Sequence, residues 1–154
     1  MSDTSRDPAE SIAAALSRVR RRRGGRGRPV GDGGHRSPEE RLAGAARLRV
    51  LEALDAASAP LTIGAVADAI GVDQPRASRL VQQAIDLGHA VRQADPADAR
   101  RTLIGLGDGG RELVARVRAE RRAAVEAALG GFTPEESAQL ATLLTRFANA
   151  WPRS

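Results

Sequence analysis

An α+β fold dominated by helix is predicted by three features of this sequence. Apolar residues recur at helical spacing along six separate stretches. Capping residues and glycines mark where those stretches start and stop. Between the fourth and fifth, two short apolar or β-branched segments, residues 90–93 and 102–106, flank a polar turn and read as one hairpin. The chain has 154 residues and 42% hydrophobic content, enough for one domain with a core. Aromatic residues are limited to Phe132, Phe147 and Trp151, so Leu, Val, Ile and Ala must fill that core.

The first helix is expected over residues 9–23, with Ile12, Leu16 and Val19 on one stripe and Arg20-Arg21-Arg22-Arg23 at its end. From Gly24 to Gly34 the chain is too rich in Gly for a regular element, and this Arg/Gly tract reads as a linker. Ser37-Pro38-Glu39-Glu40 then starts a helix: Ser37 caps, Pro38 fits the first turn and Glu40 reaches back to the cap amide. Leu42, Ala45, Ala46, Leu48, Leu51 and Leu54 form its apolar face, and it runs to about Ala57.

Thr62 caps a short helix over 63–70, which Gly71 stops. Asp73 caps the next, which Leu80, Val81, Ala84, Ile85 and Leu87 continue and Gly88 closes. After the hairpin, a long helix is expected from about Gly110 to Leu129, ended by Gly130-Gly131. Thr133-Pro134-Glu135-Glu136 repeats the capping pattern for a final helix bearing Leu140, Leu143, Leu144, Phe147 and Trp151.

Helix, short helix, tight turn, second helix and hairpin, in that order, make a winged helix-turn-helix. Gly71 permits the left-handed backbone that lets two helices meet steeply. The second helix presents Gln74, Arg76, Ser78, Arg79 and Gln82 on its polar side. Such a helix fits the major groove of duplex DNA: Arg76 and Arg79 suit guanine, Gln74 adenine, and Ser78 a phosphate. Asp98, Arg100 and Arg101 gather at the hairpin tip. An arginine there can enter a minor groove; the alternative is a solvated loop with a local ion pair.

All 24 basic residues are arginine, and the net charge is +5. Residues 1–36 hold nine Arg against four acids, so the whole excess lies there, and the remainder is neutral. Three readings of the Arg/Gly tract stay open: an inert linker, a phosphate-binding arm, or an RNA-binding segment. With no cysteine, disulfides, thiolate metal sites and cysteine redox sensing are excluded. No apolar run approaches the ~18 residues of a membrane span, and Met1 to Asp7 lacks a signal-peptide core. A cytoplasmic protein with no membrane partner is expected.

These residues resemble a known family. Ser78-Arg79-Leu80-Val81, Leu87-Gly88 and Val91-Arg92 look like the recognition helix and first wing strand of MarR proteins. Asp95-Pro96-Ala97-Asp98-Ala99-Arg100-Arg101 looks like their wing, with the family's Asp-x-Arg signature on Asp98 and Arg100. Leu106, Gly109-Gly110, Phe132 to Glu136 and Leu143-Leu144 extend the similarity over roughly residues 37–150. The resemblance implies a homodimer joined by the N-terminal helix and the two C-terminal helices. It makes Arg100 the minor-groove residue and Asp98 the carboxylate that orients it. It also implies a small-molecule effector, often an aromatic anion, bound between the dimer and DNA-binding regions. Gly107-Asp108 departs from the family's usual Thr after the second wing strand, which is expected to loosen the junction with the long helix.

Several signals imitate other chemistry. Gly105, Gly107 and Gly110 spell G-x-G-x-x-G, but no second parallel strand follows to build a dinucleotide fold. Glu39/Glu40 and Glu135/Glu136 fall in capping boxes. His35 and His89 are distant and make a poor metal site. Phe147 and Trp151 read as core or dimer residues. No catalytic residue, cofactor or metal is expected.

The sequence therefore divides into a basic N-terminal helix and linker (1–36), a winged helix-turn-helix (37–108) and C-terminal dimerisation helices (109–154). The expected function is a dimeric, ligand-responsive regulator of transcription, a repressor on a palindromic operator. Its rivals are a non-specific DNA-compacting protein and a winged-helix adaptor that has lost DNA binding.

Overall fold

The structure, a computed structural model, describes residues 7–25, 38–98 and 100–151 in two compact units, Met1–Ser37 and Pro38–Ser154. The first contains α1 (Pro8–Gly25). The Asp7 carboxylate accepts the Ala9 N–H at 3.1 Å, satisfying one amide that a helix start leaves open. Ile12, Leu16 and Val19 form the expected stripe and are all exposed. α1 runs through Gly24 and Gly25, where the sequence predicts the linker to begin; the rest of the expected linker and the cap at Ser37 lie outside the described residues.

The second unit runs α2 (Pro38–Ala56), α3 (Ile63–Ile70), α4 (Gln74–Asp86), β1 (Ala90–Ala94), β2 (Thr102–Leu106), α5 (Asp108–Ala128) and α6 (Pro134–Ala150). Its core joins Val50, Leu51 and Leu54 of α2 to Val66 and Ile70 of α3 and to Leu80, Val81 and Ala84 of α4. Ala90, Ile104 and Val114 close it from the hairpin and α5. Each large aliphatic side chain so buried contributes about 1.5–3 kcal/mol. No described residue of α6 is buried.

The turn between α3 and α4 forms as its chemistry requires. Thr62 caps α3 through the Ala65 amide, and Asp73 caps α4 through the Arg76 amide at 2.7 Å, each worth roughly 1 kcal/mol. Gly71 sits at φ 66° and ψ 49°, a conformation that costs a residue with a Cβ. Arg49 of α2 donates to the Ile70 carbonyl, placing a cation at the negative end of α3. At the far end of α4, Gly88 at φ 72° lets the His89 N–H return to the Ala84 carbonyl at 2.8 Å.

The strands pair antiparallel from Ala90↔Leu106 to Ala94↔Thr102, making β1 one residue longer than expected. A third segment, which the sequence reading missed, joins them. Leu61 and Ile104 exchange backbone hydrogen bonds of 2.9 and 2.7 Å, tying the α2–α3 connection to the hairpin.

The long helix begins at Asp108, not at Gly110. Gly107 is already its extended N-cap, and Asp108 adds a carboxylate at the positive helix end, paired with Arg111 at 2.8 Å. Gly107 supplies no side-chain cap, yet the junction is tight rather than loose. Its N–H donates to the His89 carbonyl at 2.9 Å, and a Cβ on Gly110 would lie 2.1 Å from that same oxygen. Gly107 and Gly110 of the G-x-G-x-x-G string thus let the start of α5 approach backbone. Further along, Arg118 pairs with Asp55 at 2.7 Å and Arg121 with Glu52 at 3.0 Å, bracing α5 against α2.

Candidate nucleic-acid interface

The α4 helix separates its faces cleanly. Ala77, Leu80, Val81 and Ala84 are buried, whereas Gln74, Arg76, Ser78, Arg79 and Gln82 are all exposed. The five candidates share a surface because 3.6 residues per turn places the positions between the buried ones on the opposite side.

They are not equivalent. Gln82 lies in the third turn and is engaged on both ends of its amide: Nε2 donates to Asp86 Oδ1 at 2.7 Å, and Oε1 accepts from Nη2 of Arg92 in β1. Its neighbour Gln83 accepts from Arg47 of α2 at 3.2 Å. Between α2 and α4 runs a groove of about 710 Å³, with Leu42 and Ala46 as apolar lining and Arg49, Arg76 and Arg79 as cations. Arg47 and this groove escaped the sequence analysis, and Arg92 entered it only as part of the first wing strand, not as a site residue. Arg92 alone left a trace: it faces Ile104 across the ladder, an inward register position where an apolar residue would be ordinary.

The wing tip is shaped by its two aspartates. Asp95 Oδ1 accepts the Ala97 N–H at 2.9 Å, and Asp98 Oδ1 accepts the Arg100 N–H at 3.0 Å. Asp95 and Arg101 close the turn through a backbone bond of 3.1 Å, and their side chains approach to 4.0 Å. The Asp98 carboxylate therefore meets the main chain of Arg100, and the local ion pair belongs to Arg101. Arg100 is exposed, and Ala99 between them lies outside the described residues.

Phe147 and Trp151 stack edge to face, with centroids 5.2 Å apart and planes at 61°. Neither joins the core: Phe147 is half-buried and Trp151 exposed. Among the described residues, no group of three or more His, Asp or Glu is placed to hold a metal ion. No helix there is long and apolar enough to cross a membrane.

Residues 44–101, from mid-α2 to the wing tip, match the model of the MarR family. This segment is a MarR-type winged helix-turn-helix. Solved structures extend the likeness to almost the whole chain. A point variant of S. aureus MepR bound to an oligodeoxyribonucleotide aligns at 19% identity over 94% of this chain and 98% of its own, with a TM-score of 0.60. A regulator from Pseudomonas aeruginosa, described as a putative transcriptional regulator protein, aligns at 24% identity over 94% of each chain, TM-score 0.64. PcaV from Streptomyces coelicolor, solved with its natural ligand, aligns at 21% identity over 97% of each, TM-score 0.57. At these identities the common property is the fold, that of MarR-family transcriptional regulators. No curated protein matches the chain.

Proposed function

We propose that this chain is a sequence-specific, double-stranded DNA-binding regulator of transcription, a ligand-responsive repressor that binds a palindromic operator as a homodimer. The observation that carries this reading is the exposed face of α4, with Gln74, Arg76, Ser78 and Arg79, beside a hairpin with Arg100 exposed at its tip. Major-groove reading by the helix and minor-groove entry by the wing follow from those shapes. The oligodeoxyribonucleotide bound by the MepR variant supports it. The unburied apolar face of α6, with Leu140, Leu143 and Leu144, supports a second copy of the chain as partner. In this reading residues 1–36 supply a basic arm and helix, 37–108 read DNA, and 109–154 assemble the dimer.

The natural ligand in PcaV supports an effector here too. The groove between α2 and α4 suits a small anion with an apolar body, since Leu42 and Ala46 offer contact area and three arginines outnumber the one carboxylate, Asp73, in its lining. Arg76 and Arg79 line both that groove and the DNA-facing side, so occupancy of the groove would withdraw them from DNA.

Selection of binding sites from random duplexes tests the function. A defined inverted repeat is expected; featureless sequences would favour the compacting protein, and no enrichment the adaptor. On the selected operator, Arg76→Ala or Arg79→Ala should each weaken binding by about 1–3 kcal/mol and relax preference at one position. Equal losses on operator and random duplex would reduce both residues to phosphate contacts. Arg100→Ala should weaken binding with the melting temperature unchanged, because an exposed tip side chain carries little packing. A large fall in melting temperature would assign Arg100 a structural role instead.

A further inference from the structure

The wing and the recognition helix are joined by a polar contact that the proposed function does not use. Arg92 lies on β1 opposite Ile104, whose side chain is fully buried, so the two share the hairpin face turned toward α4. From there the Arg92 guanidinium reaches Gln82, and Gln82 reaches Asp86. The amide has one consistent orientation: turned over, its NH2 would face the guanidinium donor and its oxygen the carboxylate. Bidentate reading of adenine needs one amide donor and one amide acceptor. In Gln82 one lone pair of the amide oxygen already faces Arg92 and one of the two N–H donors already faces Asp86, so the amide is held by its neighbours before any base arrives.

On a duplex, a helix in the major groove and a wing in the neighbouring minor groove lie on either side of one sugar-phosphate strand. Arg92 bridges those two elements and is itself exposed, with several guanidinium donors beyond the one given to Gln82. Resting on the DNA-binding reading, we infer that Arg92 grips the phosphate strand between the grooves, and that Gln82 is a positioning residue that aims it rather than a base reader. Holding the guanidinium in place beforehand reduces the side-chain freedom lost on binding.

The test uses the full-length protein, its selected operator and a scrambled duplex of equal length. Arg92→Ala should reduce the slope of log affinity against log salt by about one and weaken both duplexes alike. Arg92→Lys should retain the slope, since the charge remains. Gln82→Ala should weaken operator binding about threefold, leave the selected sequence unchanged, and add little in the Arg92→Ala background. Relaxed preference at one base pair in Gln82→Ala would make Gln82 a reader and overturn the assignment. An unchanged salt slope in Arg92→Ala, or fully additive losses in the double variant, would overturn it as well. Melting curves confirm that each variant is folded before its affinity is compared. If the unaltered chain selects no duplex, the DNA-binding reading fails and this inference with it; failure confined to the variants leaves that reading standing.

Discussion

Adding a single methyl group at Gly110 is expected to cost the fold about 3 kcal/mol or more. The new Cβ would lie 2.1 Å from the His89 carbonyl oxygen and 2.9 Å from a methyl of Leu106. Neither neighbour can yield easily. The His89 carbonyl accepts the Gly107 N–H and sits where α4 hands over to β1, so moving it disturbs helix, strand and junction together. Alanine's better helix propensity would return only about 1 kcal/mol. For a chain of this size the net loss of about 2 kcal/mol should lower the melting temperature of Gly110→Ala by roughly 4–8 °C. Gly131→Ala is the control, because a Cβ there meets nothing within 4 Å. If Gly110→Ala melts within a degree of the unaltered chain, the close approach of α5 is not what holds the junction.

The second large effect is expected at α6. Leu143→Glu with Leu144→Glu should give a folded monomer that binds the operator at least a hundredfold more weakly. These leucines are 46% and 51% exposed in the isolated chain, so charging them removes no core packing within the chain. In a dimer they would be covered by the partner, and a pair of carboxylates in that contact is too costly to keep. Loss of assembly converts one bivalent encounter into two independent ones, which forfeits an effective-concentration gain of roughly 10²–10⁴. Light scattering reads the mass, circular dichroism the helix content, and a titration the affinity. A dimer that survives both charges would place the interface elsewhere. A monomer with undiminished affinity would remove the two-fold reading of the operator.

What could be read from the sequence was what neighbouring residues decide. Thr62, Asp73 and Thr133 cap the helices that follow them, and Gly71 takes the left-handed turn, because these are choices made within four residues. The hairpin is legible from its two short apolar segments and the polar turn between them, but its register depends on pairing that no local pattern spells out. The sequence places the start of α5 near Gly110, two residues late, because Gly107 has no side chain with which to announce itself as the N-cap. The Leu61–Ile104 bridge joins residues 43 positions apart, and no local signal announces such a partner. The same holds at the interface. Exposure of Gln74, Arg76, Ser78, Arg79 and Gln82 came from helical periodicity, but the engagement of Gln82 by Arg92 depends on how the hairpin lies against α4. The α2–α4 groove is likewise made by packing between two helices.

The bridge between Leu61 and Ile104 gives the wing the mechanics of a cantilever. Its root is clamped on both sides, by β1 and by the α2–α3 connection, and Ile104 is anchored in the core. Beyond that clamp the beam holds only its own ladder and the small turn organised by Asp95 and Asp98. Load at the free end is borne at the root, so residues near the tip can change without disturbing the folding of the rest. One hairpin thereby separates two kinds of selection. Folding constrains its inner half, around Ala90, Ile104 and Leu106, while the outer half, from Asp95 to Arg101, is left free to be shaped by whatever the tip meets.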